Sequence, residues 1–358
     1  MSLQNSLSEY RVTQSSFPTF DNKQRPISFE SKNRQRNTHP LFRASDNDSS
    51  LRLQVRRFTQ DNTTLYASRT TSFTRIEPSS LIQNRLAANV QTSDINFIYV
   101  GKVPQLVRAA FQYAANIWQT LIYSSIPIQI RVTWKKDNPS TLGSSGITYG
   151  VRNFPSFRRN TWYGPALANA ISGRDLAPKL PDALINLNSR QRWYLGTDGR
   201  VPQGQYDMAT VAMHEIYHAL ASPRLLKYNP TTGQGSGGVG GYPGLYDRFV
   251  VNGSGQSLLN TRRFPNPSKA LGRQLTGNNL FFNGTHAIKA NAGQPPKLFA
   301  PRRWEPGSSY AHLDEKTYPA GSPNSLNTPY FGASEAIHDP GLIVLGILQD
   351  MGWVTMPD

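Results

Sequence analysis

The chain has 358 residues, enough for one large domain or two smaller ones, and Lys plus Arg exceed Asp plus Glu by 38 to 22, a formal charge of +16. It has no cysteine, which excludes disulfides, thiolate ligands and a cysteine nucleophile, so a bound metal must be held by His, Asp, Glu or water. No window approaches 18 uninterrupted apolar residues, so no membrane span is expected.

Residues 1–85 are polar and rich in Ser, Thr, Asn, Gln and Arg, with no sustained period of 2 or 3.6. They are expected to form a basic, extended or disordered leader, with residues 86–358 as the folded domain. Met1 to Tyr10 has no basic region followed by an apolar stretch, so it does not read as a Sec signal. A polar leader of this kind suits a secretion or injection machinery. The expected setting is cytoplasmic before export, then secreted by a non-Sec route or delivered into a target cell.

Ile95–Val100 reads as a strand. From Val103 to Tyr123, Val107, Ala110, Phe111, Ala114, Ile117, Trp118, Leu121 and Ile122 recur at helical spacing. Pro127–Trp134 alternates like a strand with one buried face, which completes a βαβ-like unit. Short strands are expected near residues 147–149 and over Asp182–Asn188. Asp207 is placed to cap a helix running to about Ala221, where Pro223 ends it.

Residues 222–311 are rich in Gly, Pro and Asn, with strand-like texture only at Leu245–Val251 and Asn279–Phe282. A last helix begins after Asp339 as the expected N-cap, carries Leu342, Ile343, Leu345 and Leu348, and stops at Gly352. The fold class is therefore α+β with a twisted mixed sheet, an active-site helix, a long loop-rich insertion and a C-terminal helix.

The chemistry concentrates in His214-Glu215-Ile216-Tyr217-His218, an H-E-x-x-H pattern on the helix after Asp207. Positions i and i+4 share a helix face, so His214 and His218 can offer both imidazoles to one zinc ion. Glu215 between them can take a proton from an attacking water. With so few His and Glu, such a match arises by chance on the order of 0.002 times in a chain of this length.

A catalytic zinc site takes three protein ligands and keeps one position open. Ala221 and Arg224 exclude a compact pattern with Gly and His at those positions. With His39 in the expected leader, the third ligand stays open among His286, His312, His338, Glu335 and Asp247. An edge strand near residues 147–151 is expected to pair with an extended polypeptide substrate. The basic residues form pairs rather than a long run, and no nucleic-acid module is present, so nucleic acid is not the expected partner.

The order of these features resembles the metzincin zinc metallopeptidases, in particular leishmanolysin-like members, where a long insertion separates the zinc helix from a third His. The stretches Tyr246-Asp247-Arg248-Phe249, His312-Leu313-Asp314-Glu315 and Glu335-Ala336-Ile337-His338-Asp339-Pro340 are similar to a group of bacterial zincin-like proteases. The closing Leu345-Gly346-Ile347-Leu348-Gln349-Asp350-Met351-Gly352-Trp353 also resembles the leishmanolysin-like end.

The resemblance implies His312 as third ligand and a turn at Leu326-Asn327-Thr328-Pro329, with Tyr330 just after it as an oxyanion donor. Tyr217 and Ala221 stand where glycine is usual, and Asn327 where the turn has Met. The implied function is a zinc-dependent endopeptidase with Glu215 as general base, in the setting of a secreted or injected effector or toxin. The alternative is a catalytically degenerate zincin-fold protein acting as a binding or structural cargo.

Overall fold

A six-stranded mixed sheet organises the protein. The computed structural model describes residues 53–58, 62–156 and 158–355. The strands used below are β1 (Gln54–Arg57), β2 (Asn62–Thr71), β3 (Ile95–Val100), β4 (Ile128–Lys135), β5 (Thr141–Gly146), β6 (Tyr149–Arg152), β7 (Ala183–Asn188) and β8 (Tyr330–Ala333). The helices are α1 (Ser80–Ala87), α2 (Gln105–Leu121), α3 (Pro165–Ser172), α4 (Met208–Leu220), α5 (Lys269–Leu275), α6 (Thr285–Ala290) and α7 (Leu342–Met351). Among the described residues, no helix is long and apolar enough to cross a membrane.

The sheet order is β8-β2-β5-β7-β4-β3. β3, β4 and β7 run parallel, β5 is antiparallel to both β7 and β2, and β8 runs parallel to β2. The first three follow the βαβ rule, since a parallel return needs a crossover, here α2. Ile128, Ile130 and Val132 of β4 and Ala183, Ile185 and Leu187 of β7 alternate into the core. α2 buries Val107, Ala110, Phe111, Ala114, Ile117, Trp118 and Leu121, as its spacing predicts.

α4 packs against both α2 and the sheet, and every one of its residues is buried. Asp207 caps it as expected: its carboxylate accepts from Thr210 N–H at 2.9 Å and Thr210 Oγ–H at 2.7 Å. A third bond comes from His338, whose Nε2 lies 2.8 Å from the same oxygen. The Trp118 indole donates to the Met213 carbonyl at 3.1 Å, which ties α4 to α2.

Three expectations are corrected. The leader does not extend to residue 85: β1, β2 and α1 belong to the fold, with β2 inside the main sheet. Its polar sequence hides this because β2 is joined mainly by backbone hydrogen bonds. Residues 1–52, the rest of the expected leader and His39 with it, lie outside the described residues. Asp339 does not cap α7; Gly341 does, at φ +79°, and Asp339 accepts from Gly341 N–H and Ser79 N–H instead. Residues 246–249 form a 3-10 turn before a strand at Val250–Asn252, where a single strand was expected.

Asp207 is fully buried and serves three donors, so Asp207→Ala leaves His338 Nε2 without its partner and removes the cap. We expect a loss of about 2–4 kcal/mol of stability by urea unfolding. A loss below about 0.5 kcal/mol, the size of an ordinary surface substitution, contradicts this role.

Candidate metal centre

The helical register of α4 puts His214 and His218 on one face, one turn apart. His312 reaches the same point from a loop 94 residues further on, and the imidazole Nε2 atoms converge. They are 2.9 Å apart for His214–His218, 3.0 Å for His218–His312 and 3.2 Å for His214–His312. Among the described residues, this is the group of His, Asp or Glu side chains arranged to hold a metal.

Backbone carbonyls decide the tautomers. His214 Nδ1 lies 2.7 Å from the Leu326 carbonyl and His312 Nδ1 lies 2.9 Å from the Ser308 carbonyl. A carbonyl only accepts, so each Nδ1 carries a proton and donates it. In a neutral ring, Nε2 then holds a bare lone pair. Burial keeps the rings neutral, drawing His214 down to about 4 and His218 and His312 well below the usual imidazole value. Two lone pairs therefore face each other at 3.2 Å, and His218 has at most one proton to offer between them.

Such a cluster is repulsive unless a cation sits at its centre. Tetrahedral zinc with Zn–N of about 2.0–2.1 Å separates its nitrogens by roughly 3.3 Å, a few tenths of an ångström wider than observed. The fit needs only a small spreading of the rings. The donor set of three neutral imidazoles suits zinc and other borderline divalent metals.

The turn Ser325–Asn327 braces the centre from below. Leu326 receives His214, and the Asn327 carbonyl accepts from Leu313 N–H at 2.7 Å, next to His312. The Asn327 side chain is fully buried, and neither its oxygen nor its nitrogen has a hydrogen-bond partner among the described residues. At the other end of α4, Arg224 donates to the Ala221 and His218 carbonyls. A cation suits the negative end of a helix.

Glu215 lies on the sheet side. A Cβ placed on Gly143 of β5 would stand 2.7 Å from its Oε1, so any larger residue there would push the carboxylate from this position. Both carboxylate oxygens are buried and have no hydrogen-bond partner among the described residues. Burial pushes the Glu215 carboxyl well above the usual carboxylate range, opposed by the charge of Arg224.

The other candidates go elsewhere. Glu335 accepts from Gly332 N–H at 3.0 Å and from the Thr74 hydroxyl, and His338 holds Asp207. His286 pairs with Asp350 at 3.0 Å. Asp247 accepts from Leu225 N–H, Gly244 N–H and the Tyr310 hydroxyl, while Arg248 ties residues 159–161. Tyr330 gives its hydroxyl proton to Glu305 and packs against Tyr66 and Phe299, so a role at an oxyanion requires it to leave that carboxylate.

Sequence reasoning missed Gly143, Arg224, Ser308 and the Leu326 carbonyl. Only Arg224 carried a signal, as a basic residue just past a helix end. Comparison of the chain with protein-family models, with curated proteins and with solved structures returned no match.

Zinc bound at about a thousand times its Kd should add about 4 kcal/mol to stability, read as a rise in Tm that a chelator reverses. His312→Ala should abolish both the rise and the bound metal. Full zinc retention in that variant contradicts the assigned ligand set.

Proposed function

We propose that the chain is a zinc-dependent endopeptidase of the zincin type. The observation that carries this reading is the pairing of two features. Three buried imidazoles turn their Nε2 atoms toward one point, two of them with bare lone pairs, and a carboxylate without a partner follows the first of them on the same helix. A zinc held there supplies Lewis acidity, polarising a carbonyl and lowering the pKa of water.

The rest of the work falls to the chain. His214, His218 and His312 fix the position of the cation, and the Leu326 and Ser308 carbonyls fix two of those rings. Glu215, kept basic by burial, takes the proton of the attacking water and passes it to the leaving amine. Gly143 keeps that carboxylate clear of β5.

One observation favours a second reading. His214 is 1% exposed, and Glu215, His218 and His312 are 0% exposed. Closed sites are typical of structural zinc, open ones of catalytic zinc. On that reading the chain is a degenerate zincin-like binding or cargo protein.

Glu215→Gln separates the two. As an endopeptidase, the zinc-loaded variant should keep its metal and lose about 10²–10⁴-fold in kcat/KM on an unfolded polypeptide. Equal turnover in both forms would sink the proposal. Gly143→Ala should likewise bind metal but lower kcat, because the new methyl displaces the Glu215 carboxylate. An unchanged kcat contradicts the role given to Gly143.

A further inference from the structure

The enclosure of the metal centre has a visible cause. β5 forms one rim above it, with Gly143 against Glu215. The other rim is the segment from the Ser325–Asn327 turn into β8, and the turn's Leu326 carbonyl holds His214. β2 fills the strip between them. It runs antiparallel to β5 over Asn62–Tyr66 and parallel to β8 at Tyr66 and Ala67.

Leu65 stands directly opposite Gly143. Directly opposed residues share a sheet face, so Leu65 lies on the face that carries Glu215. Thr64 faces the other way along the strip: its N–H donates to Gly307, and its carbonyl accepts from the Ser308 hydroxyl. Ser308 is the residue whose carbonyl holds His312. β2 thus touches the surroundings of both His312 and Glu215.

Its sequence is poorer in apolar residues than that of the parallel strands. β4 and β7 each bury three apolar side chains, whereas Leu65 is the one fully buried apolar residue of β2. Parallel strands covered on both faces normally carry near-continuous apolar runs, whereas the antiparallel β5 buries Leu142 as its one apolar side chain. β2 is held by backbone hydrogen bonds, which any extended polypeptide can make. The same holds beside it, where all four residues of β1 are exposed and pair with β6. That is the edge expected from the sequence to receive a peptide.

We propose that the strip between β5 and β8 is the peptide-binding groove, and that residues 62–71 occupy it as an internal strand that keeps the centre closed. The proposal rests on the endopeptidase reading above. The groove takes an extended polypeptide, antiparallel to β5, with an apolar side chain in the place of Leu65. Withdrawal of β2 costs the burial of Leu65 and Thr63, the Tyr66–Tyr330 ring contact and a ladder that the incoming peptide rebuilds.

A reversible lock tests this in the full zinc-loaded chain. Thr64 and Ser144 are directly opposed, and the Thr64 backbone bonds point away from Ser144. Such a pair has Cα atoms about 4.5 Å apart, within disulfide range. In a cysteine-free chain, the double variant Thr64→Cys, Ser144→Cys forms a single defined bridge. The oxidised form should hydrolyse an unfolded, fluorophore-labelled polypeptide at least tenfold more slowly than the reduced form. It should also lose zinc to a chelator at least tenfold more slowly.

A second variant replaces Ser72-Phe73-Thr74, where Phe73 is 71% exposed, with a site for a sequence-specific protease. Cutting the folded protein should raise hydrolysis at least tenfold, and a labelled peptide of residues 62–71 should bind the cut form and reverse the rise. Hydrolysis unaffected by the lock, the cut and the peptide overturns the proposal and leaves the endopeptidase reading standing. Peptide binding and lock-dependent zinc loss without hydrolysis in any form support the groove and overturn the endopeptidase reading.

Discussion

Three imidazole nitrogens within 3.2 Å of one another, with two of their tautomers set by backbone carbonyls, are the constraint on which this structure turns. Neutral rings in that arrangement repel, and burial denies them extra protons. A cation at that point would offset the repulsion, and the three side chains are arranged to hold one. The surrounding architecture serves that end: Asp207 and His338 fix the start of α4, Arg224 its end, and Trp118 its flank.

The carbonyls that orient the rings belong to loops, not to the helix. Ser308 and Leu326 lie in the segments on either side of the Leu313–Asn327 hydrogen bond, which ties the His312 loop to the turn beneath the centre. Thr64 of β2 is bonded to the same His312 loop. The metal site, its turn and the strand across it therefore form one hydrogen-bonded unit. Ser308 joins strand and site, its hydroxyl meeting β2 and its carbonyl meeting His312.

Much of this was legible in the sequence, and the reasons differ by residue. The α2 stripe and the β4 alternation were readable because burial is written in apolar period. Asp207 was readable because a capping carboxylate sits at a fixed offset from its helix. His214, Glu215 and His218 were readable because their spacing is local, whereas His312 was singled out from the other candidates only through a resemblance, since nothing local marks a ligand 94 residues away. β1 and β2 were hidden because their attachment lies in backbone bonds, which leave no pattern in side chains. The α7 cap was misplaced because Asp339 is in reach of Gly341 N–H without preceding the helix directly. The partner of Tyr330, Glu305, lies 25 residues away and has no sequence signature.

Zinc K-edge X-ray absorption on the purified, reconstituted protein tests the central claim most directly. The account predicts a shell with three imidazole nitrogens at about 2.0 Å. A protein that takes up no zinc, or a shell with fewer than three imidazoles, contradicts it.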